Sequence, residues 1–303
     1  FQSAYLKTHH PAEFMAAVIS NQGGFYSTFA YVSEARRMGL TVLPPDVNVA
    51  DIRWQGCGSA LRVGLLSVAD VGNATQQRIV ALRKNSPYKS LADFLNRVRP
   101  DEPEVRRLIH AGAFDNLHPH EDRATLMWDL SAWLQHRSKR SKPPDLFGKR
   151  TTVSAQKPLL PPDNMRDRLR REYAALGFLC DRHPMVLFKK QLKKYGVVKA
   201  FDLKKFTGRR VRVGGLLITG KIVSTKHGDP MEFLTFEDET GLVETTFFPQ
   251  AYRRFCAILD RHRPYILTGR VDEDFGAVTL TVDRVEVLKR KKDTIVDRRH
   301  QRA

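Results

Sequence analysis

Thr225–Pro249 reads TKHGDPMEFLTFEDETGLVETTFFP. Met231–Phe236 is a run of strand-forming residues with Met231, Phe233 and Thr235 on one face, and Val243–Phe248 is a second such run. The cluster Glu237-Asp238-Glu239-Thr240-Gly241 between them is turn-forming, because Asp and Gly accept the backbone angles of a tight reversal. Upstream, Val211–Val223 is a longer apolar-rich run broken by Gly214, Gly215 and Gly220, positions where a strand bends. Downstream, Gln250–Leu259 reads as a helix. Tyr265–Val271 and Ala277–Val287 are two further strand runs around the acidic turn Asp272-Glu273-Asp274-Phe275-Gly276. Five short strands with a helix between the third and fourth is the element order of an OB-type barrel, which grips single-stranded nucleic acid.

Composition supports a polyanionic partner. The 303 residues suffice for two or three modest domains, and 51 Lys plus Arg against 33 Asp plus Glu leave a net charge of +18. Nucleic acid is the commonest partner for such a surplus; a charge that only keeps the protein soluble is the alternative. No apolar run approaches the roughly 20 residues of a spanning helix, so a membrane partner is not expected. Cys57, Cys180 and Cys256 lie far apart without a Cys-x-x-Cys pair. That excludes a zinc site built on paired cysteines, gives no disulfide framework, and fits a reducing cytoplasm. The chain starts at Phe1 inside a helical pattern, without Met or a signal peptide, and reads as the back part of a longer protein.

Before the barrel, helical periods dominate. Pro11–Gln22 carries Phe14, Met15, Val18 and Ile19 at helical spacing, and Ser27–Met38 stops at Gly39. Thr41-Val42-Leu43 reads as a short strand. Within Ala60–Leu117, Leu65–Ala74 followed by Gln77, Ile79 and Val80 fits a helix-hairpin-helix. In that motif Val71, Gly72, Asn73 and Ala74 would aim backbone N–H groups at a DNA phosphate. The usual hairpin is Gly-apolar-Gly, and here Asp70 holds the first position, which disfavours a phosphate; a hairpin kept for packing is the alternative. Arg123–Leu134 and Met165–Phe178 are further amphipathic helices, and Phe188–Tyr195 is basic through Lys189, Lys190, Lys193 and Lys194. Pro143, Pro144, Pro158, Pro161 and Pro162 mark Ser138–Asn164 as an extended linker.

Several stretches resemble one family. Ala4–Ala17, Gly24-Phe25-Tyr26, Glu34–Leu40 and Leu43–Asn48 are similar to the end of the fingers region in bacterial C-family replicative DNA polymerases, the DNA polymerase III alpha subunits. Leu108–Asp115 resembles the second of that family's paired hairpins. Glu172, Leu176-Gly177-Phe178 and His183-Pro184-Met185 resemble its approach to the OB domain. Thr225–Gly228, Met231–Gly241, Glu244, Phe247-Phe248-Pro249 and Tyr252 match the OB domain itself. Asp145-Leu146-Phe147 resembles the end of the Gln-x-Asp-Leu-Phe peptide that holds the sliding clamp, with Pro143 in the Gln position.

The resemblance implies the C-terminal part of a DNA-directed DNA polymerase. By that resemblance it would bind single-stranded and duplex DNA, the clamp and other holoenzyme subunits in the bacterial cytoplasm. Catalysis and its Mg2+ are expected only in a palm that this chain lacks, so no cofactor is expected here. Asp272-Glu273-Asp274, Glu237-Asp238-Glu239 and His118-Pro119-His120 read as turn and loop surface, not as the rigid carboxylates that two-metal chemistry requires.

In the barrel, the candidates for phosphates are Arg209, Arg210, Arg212, Lys221 and Lys226, and those for bases are Phe233 and Phe247. Both aromatics read more readily as barrel core, because apolar residues fill the interior of a small barrel. The expected order is a fingers remnant (1–58), a helix-hairpin-helix region (59–120), helices and a basic Pro-rich linker (121–206), the OB domain (207–289) and a basic tail (290–303). The fold class is α + β multidomain: an all-α N-terminal region with helix-hairpin-helix motifs, then a small five-stranded OB-type β-barrel. Alternatives are a free-standing hairpin-plus-OB repair protein, an RNA-binding OB protein of the synthetase-appendage type, or the error-prone polymerase paralogue.

Overall fold

The computed structural model describes residues 1–22, 26–140 (side chains through 136), 163–261 and 263–288. The chain divides into two units, Phe1–Asp181 and Arg182–Ala303, and the boundary falls inside the stretch 121–206. The linker peptide Asp145-Leu146-Phe147, the basic tail and Gly24-Phe25 lie outside the described residues. Among the described residues no helix is long and apolar enough to cross a membrane.

The first unit is mostly helical: α1 (Gln2–His9), α2 (Pro11–Asn21), α3 (Thr28–Arg37), α4 (Asn73–Arg83), α5 (Leu91–Val98), α6 (Glu102–Ala111), α7 (Arg123–Arg140) and α8 (Met165–Leu176). Local chemistry sets their ends. Pro11 opens α2, the Ser27 hydroxyl accepts from Ala30 N to cap α3, and Gly112 takes the left-handed conformation that ends α6.

Three short strands, β1 (Thr41–Leu43), β2 (Gln55–Cys57) and β3 (Ala60–Arg62), form a sheet in the order β1-β3-β2. Only β1 was legible in the sequence, because three-residue strands are too short to show alternation. The sheet packs on α2 so closely that a Cβ on Gly56 would lie 2.6 Å from Glu13 N. The core gathers Val32, Leu61, Leu65, Ile79, Phe94, Leu108, Phe114 and Phe178.

The second unit opens with a 3-10 turn at Pro184–Phe188 and the basic helix α9 (Lys189–Tyr195). It then builds a closed barrel from β4 (Arg210–Ser224), β5 (Pro230–Glu237), β6 (Leu242–Phe247), β7 (Pro264–Asp274) and β8 (Ala277–Val287). Helix α10 (Pro249–Phe255) lies between β6 and β7. The strand order is β4-β5-β6-β8-β7, closing back on β4; β6 and β8 run parallel and the other pairs antiparallel. This is the OB topology expected from the element order.

Alternation assigns the faces of the strands. Leu234 and Phe236 of β5 point into the core with Val243, Phe247, Tyr265, Leu267 and Leu280, which turns Phe233 and Thr235 outward. A 3-10 turn at Ala200–Phe206 sends Leu203 into this core. Asp238, expected as wet turn surface, is instead buried. It accepts from Thr240 N (2.6 Å), Gly241 N (3.0 Å) and Ala200 N (2.8 Å), and so ties the β5–β6 turn to the 3-10 segment.

Candidate nucleic-acid interface

Strand register sorts the barrel candidates into two groups. Lys221 of β4 pairs with Phe233 of β5, which pairs with Thr246 of β6, so one row crosses three strands; Thr246 is buried, and solvent reaches the row at Lys221 and Phe233. Phe233 is 46% exposed, and Lys221 is exposed beside it. Lys226 stands in the β4–β5 turn, whose shape is held by the Thr225 hydroxyl accepting from His227 N and Asp229 N. No ion-pair partner of Lys221 or Lys226 occurs among the described residues. Exposed cations beside an exposed ring suit phosphates and bases together.

Arg210 and Arg212 lie on the other half of β4, where the neighbour is β7. The structure therefore does not bring them together with Lys221. Arg210 donates two hydrogen bonds to Asp283, both 2.8 Å, and Arg212 donates to the Tyr195 carbonyl at 3.3 Å. Their neighbours are matched as well, Arg270 with Asp272 (3.6 Å) and Arg284 with Glu286 (3.1 Å). Arg209 is exposed at the entry to β4. This side is largely neutralised by the protein's own carboxylates.

Phe247 is removed from the base-stacking candidates. It is 0% exposed and packs in the barrel core, because odd-numbered positions of β6 face inward. The sequence missed Phe275, which stands fully exposed at the tip of the β7–β8 hairpin. Its only sequence signal was an aromatic inside a turn of polar residues.

The hairpin of the helical unit is already engaged. Val71 is buried, while Gly72, Asn73 and Ala74 at the start of α4 are exposed. Gly72 N donates to Glu104 Oε1 at 2.9 Å, so the N–H expected to meet a phosphate holds an internal carboxylate. Glu104 Oε2 accepts from the Thr75 hydroxyl (2.9 Å) and from Asp101 N (3.0 Å). Asp70 takes the left-handed backbone (φ +59°) that its Gly-like position demands, and Arg107 Nε donates to its Oδ2 at 2.8 Å. Two carboxylates thus crowd the helix end where an anion would dock.

Buried charge elsewhere in this unit is structural. Arg123, 5% exposed, donates to Asp115 (2.7 Å) and Glu172 (3.0 Å), and Glu172 accepts from Cys180 N (3.0 Å). Burial pushes the Cys180 thiol well up, leaving it a protonated packing group. His118 Nε2 accepts from Leu91 N at 3.1 Å and Nδ1 faces Glu121 at 3.2 Å, so this imidazole joins α5 to its neighbouring loop. Among the described residues no three His, Cys, Asp or Glu side chains gather into a metal-holding group.

Two known families match, one within each unit. Residues 39–126 match a helix-hairpin-helix motif family, and residues 216–288 match an OB-fold nucleic acid binding domain family. Fold and surface thus define a two-module nucleic-acid-binding protein. Relatives over nearly the whole length narrow this further. An error-prone DNA polymerase of Symbiobacterium thermophilum is 29% identical over 95% of this chain and 31% of its own length. The DNA polymerase III subunit alpha of Bacillus subtilis is 28% identical over 95% of the chain and 26% of its own length. That of Vibrio cholerae is 30% identical over 90% and 25%. The chain is a homologue of the bacterial DNA polymerase III alpha subunits and error-prone DNA polymerases, and corresponds to their C-terminal region. It spans between a quarter and a third of the length of these relatives.

Proposed function

We propose that this chain is the DNA-engaging part of a bacterial replicative or error-prone polymerase, and that its barrel lays a single strand across the β4–β5–β6 face. The exposed pair Lys221–Phe233, with Lys226 in the adjacent turn, carries the reading. Duplex contact falls to the helical unit through exposed Asn73 and Ala74, with Glu104 limiting it. Template-directed synthesis belongs to the larger protein of which such a region is part. Its Mg2+ belongs to the catalytic palm, and this chain needs no cofactor of its own. Asp145-Leu146-Phe147 is assigned to the groove of a sliding clamp, where two apolar anchors suffice for contact and Pro143 forgoes the amide hydrogen bonds. Other polymerase subunits and a cytoplasmic setting complete the proposal. A free-standing repair protein or an RNA-binding appendage would not be expected to match polymerases over 95% of the chain.

The test compares labelled single-stranded DNA binding by the full chain, by Lys221→Gln/Lys226→Gln, and by Arg210→Gln/Arg212→Gln across a salt series. The lysine pair is expected to weaken binding about ten-fold and to reduce the salt slope by roughly 1–2. The arginine pair is expected to change less, because Arg210 is already matched by Asp283 and Arg212 is engaged by the Tyr195 carbonyl. The reverse ranking would move the DNA to the other side of the barrel.

A further inference from the structure

Phe275 combines two unfavourable features at one residue. Its ring is fully in solvent, at 104% exposure, and its backbone is left-handed (φ +48°), where a bulky side chain is strained. With Gly276 at φ +84°, it forms the two-residue loop that closes Asp274 onto Ala277. Such a type I′ turn is most comfortable as Asn-Gly or Asp-Gly. A sequence that had only to reverse the chain would not place Phe here. The ring is also unused within the unit: it is absent from the barrel core and its packed periphery.

Its position gives it a use. Beyond the turn, β8 pairs with β6 at Glu244–Thr279 and Thr246–Thr281, and Thr246 lies opposite Phe233. The tip therefore rises beside the β5–β6 face, roughly 20 Å from Phe233 by strand rise and spacing. The acids just before it are engaged: Asp272 accepts from the Thr281 hydroxyl at 2.7 Å and Glu273 pairs with Lys204 at 3.0 Å. Asp274 remains exposed beside the ring, which disfavours a phosphate there and leaves the uncharged face of a base as the fitting occupant.

We propose that Phe275 is a stacking platform for one base of the single strand held on the β4–β5–β6 face, an inference that rests on the nucleic-acid reading above. Strain and exposure are retained because the ring works on a ligand.

The decisive variant is Phe275→Asn, with Phe275→Trp beside it, in the full chain. Affinity for labelled oligothymidylate is measured across salt, and stability by thermal melting. Asn suits the left-handed position, so Phe275→Asn is expected to melt higher than the parent. It should bind at least about five-fold more weakly, because one stacked base is lost. The salt slope stays at the parent value, since no phosphate contact is removed. Phe275→Trp keeps the parent affinity. Unchanged affinity in Phe275→Asn, alongside weakened binding by Lys221→Gln/Lys226→Gln, overturns the inference and leaves the proposed function standing. A lower melting temperature together with lost binding also overturns it, by making the ring a support of the hairpin. No oligothymidylate binding by the parent removes both readings.

Discussion

Glu104 occupies the third position of α6 and there completes a capping box with Asp101. The same carboxylate reaches across to Gly72 N and the Thr75 hydroxyl at the start of α4. One side chain thus satisfies the ends of two helices. Glu104→Ala should cost about 1–2 kcal/mol in urea unfolding, the usual loss for a removed cap with a donor left behind. DNA affinity in that variant should hold or rise, because the change removes a negative charge from the hairpin. The box Asp101-x-x-Glu104 is a local contact within one helix end, whereas the second partner of Glu104 lies 32 residues away. Asp70 shows the opposite case, where spacing alone marked a Gly-like position and the backbone confirms it with φ +59°. Phe233 and Phe247 looked alike in the sequence. Register sends one outward and the other into the core.

At the scale of elements, the barrel strands were the most legible part of the chain. Long runs with strong alternation fixed β4 to β8 and the helix between β6 and β7 to within a few residues. The three-stranded sheet beside α2 was not legible beyond β1, because β2 and β3 are set by packing rather than by pattern. Closure of the barrel also rests on a feature that no pattern gives. The β7–β8 register shifts between Thr268 and Gly269, and a Cβ on Gly269 would stand 2.1 Å from the Thr281 carbonyl oxygen. Backbone cannot give way as a flexible side chain can. Gly269→Ala should destabilise the barrel by about 2 kcal/mol or more, seen as an earlier thermal transition, although Ala is otherwise a conservative change.

Over the whole molecule, charge acts at two ranges. The net charge of +18 steers polyanions toward the chain, and that attraction falls as salt rises. At short range, the His110 imidazole is held at about 4, by burial first and then by Arg171, Arg123, Arg107 and Arg106. The unfolded chain takes up this proton near pH 6.5, whereas the folded unit refuses it until about pH 4. The stability contribution is therefore intact above pH 6.5 and declines as the pH falls through that window. Urea midpoints of the parent should fall between pH 6.5 and 4, and the fall should be shallower in His110→Gln.

The basic character, the helical region followed by an OB barrel, the hairpin positions and the polymerase resemblance were all legible in the amino-acid sequence. All of these are properties of composition or of local period, which neighbours along the chain suffice to set. Tertiary structure alone decided which cations remain free, with Lys221 and Lys226 open and Arg210 matched by Asp283. It also decided that Phe233 and Phe275 face solvent while Phe247 does not, and that Glu104 fills the hairpin's donor. Such facts depend on residues distant in sequence meeting across strands and helices, where register and closure, not propensity, choose the partner.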